Sequence, residues 1–145
     1  MRKIVRLSLL LLLCLLCFAG CTQQEEQKVE MTEPQMTQAQ ITYQQITAQE
    51  AKQLMDTEQG YIIIDARTEE EFATGHIAGA ILIPEYEIAE RAEAELPDKD
   101  ALILVYCRSG RRSKIASEEL VNLGYTNVKE FGGIIDWPYE TTIDD

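Results

Sequence analysis

The sequence predicts an α/β fold: a single domain with a mostly parallel central sheet flanked by helices on both faces. Two observations carry this. From Ile41 onward, short apolar runs alternate with helical stripes, and strands separated by helices need crossovers that leave the strands parallel and the sheet covered on both sides. The two strongest runs, Tyr61–Asp65 and Leu102–Tyr106, are apolar nearly throughout instead of alternating with polar residues. Strands buried on both faces read that way.

In chain order, Tyr43–Ile46 is a short strand candidate. Thr47 and Glu50 then form a capping box, and Ala48, Ala51, Leu54 and Met55 give a helical apolar stripe. Tyr61–Asp65 is a buried strand ending in an acid. Thr68 with Glu71 makes a second capping box, opening a short helix that Gly75 should stop. Ala80–Ile83 reads as a further strand, and Pro84 suits the start of a helix running to about Glu95. The acidic stretch Glu85–Asp100 reads as that helix's solvated face. Leu102–Tyr106 is the strongest strand. After a six-residue loop, Ile115, Ala116, Leu120 and Leu123 recur at helical spacing, with Gly124 as the cap. Val128–Phe131 is the last strand candidate.

The chain has 145 residues, enough for one ordinary core, and 46% of them are hydrophobic, too many for wholesale disorder. Its net charge of -12 argues against non-specific binding to nucleic acid or anionic headgroups.

That charge is unevenly placed. Arg2, Lys3 and Arg6 precede the apolar run Leu9–Phe18, then Ala19, Gly20 and Cys21, the three-part layout of an export signal. The run is about half the roughly 20 residues of a spanning helix. Phe18-Ala19-Gly20-Cys21 resembles the lipobox of bacterial lipoproteins, with Phe18 where Leu or another aliphatic residue is usual. The resemblance implies that residues 1–20 are a signal peptide and that Cys21 is lipidated, anchoring an exported protein to a membrane on its extracytoplasmic side. A plain secretory signal cut near Ala19, or an uncleaved anchor, are the alternatives. Residues 22–40 hold six Gln, four Glu and no aromatic residue, the composition of a solvated tether; residues 21–40 are therefore expected to be tether, and residues 41–145 the domain.

With the signal gone, the chain has 10 basic residues against 25 acidic, a net of -15. Cys14 and Cys17 leave with it and Cys21 is occupied by lipid, so Cys107 is the one free thiol expected in the mature protein. An internal resolving disulfide is then impossible.

Cys107-Arg108-Ser109-Gly110-Arg111-Arg112-Ser113 joins the strongest strand to a helix start. Ligands of parallel sheets bind beyond the carboxyl ends of the strands. Backbone N–H groups in such a loop can converge into an anion nest, and the helix dipole adds partial positive charge there. Gly110 permits the tight path. Arg108, Arg111 and Arg112 bring three cations. All of this favours thiolate over thiol at Cys107. The competing reading, a buried inert Cys beside arginines that only solvate a helix start, does not account for so many favourable features in one loop.

Three stretches together resemble the single-domain rhodaneses, a sulfurtransferase family. Ile64-Asp65-Ala66-Arg67, with Glu71-Phe72 and Gly75-His76-Ile77-Ala78-Gly79-Ala80, is similar to the family's first signature. Cys107 to Arg112 is similar to its active-site loop, and Gly132-Gly133-Ile134-Ile135-Asp136-Trp137 to its C-terminal signature. The resemblance implies that Cys107 carries sulfur as a persulfide. It also implies that the loop from Arg108 through Ser109, Gly110 and Arg111 to Arg112 cradles the persulfide, and that no cofactor or metal is needed. The donor would be a small anion such as thiosulfate. The acceptor would be a thiol, cyanide or a partner protein.

Asp65, Arg67, Glu71, His76 and Trp137 are expected to support the structure. Arg67 and Glu71 are four residues apart at a helix start and should form an ion pair. His76 is the only histidine and invites a Cys–His dyad, but the Gly-His-Ile signature implies a structural role. Trp137 follows a flexible Gly-Gly turn and should pack the C-terminal segment.

Two other function classes stay open. One is a non-catalytic or partner-dependent sulfur carrier. The other is an oxyanion enzyme, a phosphatase or arsenate reductase, although those relatives carry five residues between Cys and Arg where this chain has four between Cys107 and Arg112.

Overall fold

The computed structural model describes residues 42–143. The signal and tether expected over residues 1–40, and Cys21 with them, lie outside the described residues.

The chain forms β1 (Gln44–Gln45), α1 (Ala48–Thr57), β2 (Ile62–Asp65), α2 (Glu69–Ala73), β3 (Ala80–Leu82), α3 (Ile88–Glu95), β4 (Ile103–Cys107), α4 (Arg111–Asn122) and β5 (Val128–Gly133). Single 3-10 turns cover Glu85–Glu87 and Ile134–Asp136. The five strands lie in the order β1-β5-β4-β2-β3, and every pairing is parallel. The α/β architecture is the one expected.

Both capping boxes form. Thr47 Oγ1 accepts the Glu50 N–H at 3.1 Å while Glu50 Oε2 accepts the Thr47 N–H at 2.7 Å, and Thr68 and Glu71 repeat the exchange at the start of α2. Each box satisfies N–H groups that have no partner inside the helix. Thr74 ends α2, with Gly75 beyond it at φ 141°.

Three expectations are corrected. The helix expected from Pro84 breaks into a 3-10 turn followed by α3, because the Glu85 N–H reaches back to the Ala66 carbonyl (3.3 Å) and ties the chain to the end of β2 first. The first strand shrinks to two exposed residues on the sheet edge. The loop after the fourth strand is also shorter than six residues: α4 begins at Arg111, so Arg111, Arg112 and Ser113 form its first turn.

Period-2 alternation along the strands builds two cores. Ile103, Val105 and Cys107 of β4 join Ile64, Val128, Ile88, Ala92, Ala116 and Leu120 on the face covered by α3 and α4. Leu104 and Tyr106 point the other way, with Ile63, Phe131 and Ala51 of α1. Because β4 is central and covered on both sides, all five of its residues are buried. Its last side chain therefore emerges from the interior at the carboxyl edge of the sheet. No helix among the described residues is long and apolar enough to cross a membrane.

Candidate active site

Cys107 closes β4 with 1% of its surface exposed, and it is a free thiol. Arg108 and Ser109 are exposed, then Gly110 turns the chain into α4 from the left-handed region, at φ 91°. That conformation is strained for any residue with a Cβ and open to glycine. It brings the Gly110 N–H to 3.1 Å from the Cys107 sulfur.

Burial alone would push the Cys107 thiol up. Hydrogen bonding from the Ser113 hydroxyl and from the backbone N–H groups of Ser113, Ser109 and Gly110 outweighs burial and holds it below its ordinary value. The direction is the one expected from sequence, but the arrangement of causes differs. Backbone donors at the head of α4 act on the sulfur, whereas Arg108 and Arg111 are exposed and Arg112 is engaged elsewhere.

The loop rests on the end of β5. A Cβ on Gly133 would lie 2.3 Å from the Arg108 carbonyl oxygen and 2.6 Å from the Ser109 Cα. The Gly-Gly pair expected to be a flexible turn is thus a packed floor, and its second glycine is required by close approach.

Around the loop the charges pair in an unexpected way. Arg67 was expected to pair with Glu71, four residues on, but it turns back to Asp65. Its Nε lies 2.9 Å from both carboxylate oxygens and its Nη2 2.6 Å from Oδ2, with a further bond to the Gly75 carbonyl at 2.7 Å. Asp65 is fully buried and Arg67 is 4% exposed, so this fork locks the β2–α2 junction. Glu71 instead takes Arg112 in two parallel bonds of 2.6 and 2.8 Å. The physical reason is direction. Arg67 lies before the Thr68 cap, off the helix whose periodicity would have placed it over Glu71.

His76 is buried, stacks on Phe72 with ring centroids 3.7 Å apart, and places Nδ1 3.2 Å from the Phe72 carbonyl. Its backbone exchanges hydrogen bonds with Thr142. Trp137 packs on Phe131 and Tyr139 at 5.6 and 4.9 Å and belongs to the α1-side core. It also lines a cleft of about 780 Å³ with Lys52, Tyr61 and Ile77, apart from the cysteine loop. No cluster of three metal-ligating side chains occurs among the described residues.

Sequence reading missed one neighbour of the loop. Glu130, 3% exposed, accepts the Ser113 hydroxyl at 2.6 Å and the Gly132 N–H at 2.8 Å. The signal was available: Val128 and Glu130 lie two residues apart on β5, and Val128 faces the core.

A family pattern, the Rhodanese-like domain, matches residues 47–138. The thiosulfate sulfurtransferase PspE of Escherichia coli is 44% identical over 73 residues, covering 50% of this chain and 70% of its own length. A sulfurtransferase of Allochromatium vinosum is 41% identical over 88 residues, covering 60% and 79%. Among solved structures, a rhodanese with anions from E. coli superposes with a TM-score of 0.55 at 38% identity, covering 58% of this chain and 99% of that one. Matched over most of the described residues, and with its cysteine at the carboxyl edge of a parallel sheet, the chain belongs to the rhodanese-like domain family.

Proposed function

We propose that this protein is a rhodanese-type sulfurtransferase that moves sulfane sulfur from an anionic, thiosulfate-like donor to a thiophilic acceptor through a persulfide on Cys107. The observation that carries the reading is the buried Cys107 sulfur with the Gly110 N–H 3.1 Å away, at the head of α4.

The Cys107 thiolate attacks the outer sulfur of thiosulfate. The new S–S bond forms as the donor's S–S bond breaks, and sulfite leaves with the electron pair. The persulfide keeps one negative charge, which the N–H groups of the Arg108–Arg112 loop and the helix dipole stabilise. An acceptor thiolate or cyanide then takes the outer sulfur and returns Cys107 as thiolate. This is covalent catalysis in two half-reactions, so ping-pong kinetics follow. Arg108 and Arg111, exposed on the loop and at the start of α4, draw in the anionic donor. Arg112, tied to Glu71, places its charge within reach of Cys107.

The test is thiocyanate formation from thiosulfate and cyanide by the wild-type chain and by Cys107→Ser. Activity in the first and none in the second is expected. Thiocyanate formation that survives in Cys107→Ser overturns the persulfide mechanism. Phosphate release from an aryl phosphate with no thiocyanate overturns the sulfurtransferase in favour of an oxyanion enzyme. A gain of about 32 Da on Cys107 after thiosulfate, without turnover, assigns the chain to the carriers instead.

The same proposal covers location. Residues 1–20 direct export, a lipid on Cys21 anchors the protein outside the cytoplasm, and residues 21–40 hold the domain off the membrane. Cys21→Ser should release it into the soluble fraction; retention of that variant as an uncleaved precursor sinks the lipoprotein.

A further inference from the structure

The cleft beside Trp137 is built from side chains that the cysteine loop leaves unused. Lys52, Met55 and Asp56 lie at i, i+3 and i+4 on α1 and share one helix face. Residues 137–140 line the cleft with them. That segment is pinned at both ends. The Trp137 Nε1–H reaches the Glu140 carbonyl at 3.4 Å, and just beyond, Thr142 exchanges two backbone hydrogen bonds with His76, at 2.8 and 2.9 Å. The cleft is therefore preformed.

Its aromatic rings are set at an angle. Trp137 and Tyr139 meet edge to face, with centroids 4.9 Å apart and planes at 69°, and Tyr139 keeps 39% of its surface exposed. The face of such a ring carries negative potential and attracts a cation within about 6 Å of its centroid. One cation already stands there. Lys52 Nζ lies 5.7 Å from the Tyr139 centroid, held by its ion pair with Asp56. Among the lining residues Lys52 is opposed by two carboxylates, Asp56 and Glu140, so the cleft is negative on balance.

The rest of the lining selects the kind of cation. Met55, Ile77 and Ala78 are apolar. A primary ammonium is strongly hydrated and would have to shed water against such a surface. A quaternary ammonium spreads its charge over apolar methyl groups and needs no hydrogen-bond acceptor, and aromatic walls recognise that form.

We infer that this cleft binds a small quaternary-ammonium cation, with Trp137 and Tyr139 as its walls, Asp56 and Glu140 as its counter-charges, and Lys52 as the resident cation that the ligand displaces. The site is separate from the sulfur chemistry and does not depend on Cys107.

Trp137 is the only tryptophan in the chain, so its fluorescence reports occupancy. The full chain is titrated with choline, with sodium chloride at matched ionic strength, and with dimethylbutanol, the uncharged isostere of choline. Choline should give a saturable change in the millimolar range and raise the melting temperature, and the isostere should do neither. Tyr139→Leu, at a half-exposed position that should keep the fold, should weaken choline binding about 3–10-fold. Lys52→Met vacates the Tyr139 face and should tighten it by about as much. In the Tyr139→Leu background the same substitution should gain far less, because no ring face is left to vacate. Phosphorylcholine, which carries phosphate as a lipid headgroup does, should bind more weakly beside Asp56 and Glu140. Binding of the isostere as tight as that of choline makes the cleft a plain apolar pocket and overturns the inference. A full Lys52→Met gain without the Tyr139 ring overturns it too, since net charge alone would then be the cause. Phosphorylcholine binding tighter than choline rules out a free cation as the ligand. If choline moves neither fluorescence nor melting temperature beyond the salt control, the cleft is no such site.

Discussion

Arg112, in the first turn of α4, and Glu71, in α2, are joined by two parallel bonds of 2.6 and 2.8 Å across the carboxyl edge of the sheet. The pair ties the helix that carries the loop's N–H donors to the helix that follows the Arg67 fork. Forty-one residues separate the partners, so neither helix could have formed the pair alone.

The Arg112 hydrogen bonds hold the Glu71 carboxyl down at about 2, from its ordinary 4.5. A depressed folded-state value means the pair's stabilisation is fully present above the unfolded value and is lost as pH falls through the folded one. Glu71→Gln should therefore cost about 1–2 kcal/mol at neutral pH. The gap in melting temperature to wild type should narrow steadily below about pH 4.5. A gap that stays constant down to about pH 3 would show that the pair is not its source.

Gly133→Ala puts a methyl group 2.3 Å from the Arg108 carbonyl, so the loop backbone must move. The fold below the loop is unaffected, and melting should drop only modestly. Displacing the sulfur's donors by about 1 Å should reduce thiosulfate turnover by roughly 10²-fold. Turnover at the wild-type rate would mean the loop is not required to keep its observed path.

Gly110→Ala forces a Cβ into the left-handed region. Folding stability should fall by about 1–2 kcal/mol, read by urea denaturation. As the residue relaxes, its N–H turns from the sulfur, and the pH midpoint of Cys107 alkylation by iodoacetamide should rise. A midpoint that falls would contradict the assignment of Gly110 as a donor.

Trp137 touches Phe131 and Tyr139 but no residue of the cysteine loop among its ring contacts. Trp137→Ala should cost about 2–3 kcal/mol in denaturant unfolding. Per folded molecule, thiosulfate turnover and KM should stay near wild type. A rise in KM with unchanged stability would instead make the cleft beside Trp137 part of substrate recognition.

The sequence by itself determined most of the elements and the place of the Cys107 thiol. Those signals are local: a capping box spans four residues, an apolar run marks a buried strand, and a glycine after a strand-end cysteine announces a tight turn. Both boxes formed, and the Cys107 loop fell at the carboxyl edge of the sheet. Boundaries moved where a distant group intervened, as when the Ala66 carbonyl captured the Glu85 N–H and split the third helix.

Partnership was decided only by the tertiary structure. Periodicity offered Glu71 to Arg67, but the fold gave Arg67 to Asp65 and Glu71 to Arg112. Composition suggested three arginines around the thiol, yet its acidity is governed by backbone donors and one serine. Glu130 was invisible as a site residue until β5 was laid beside β4 and its inward face was turned to Ser113. Hydrogen bonds and ion pairs act over about 3–4 Å, and which groups come that close depends on strand order and register. Neither is written in any single stretch of chain.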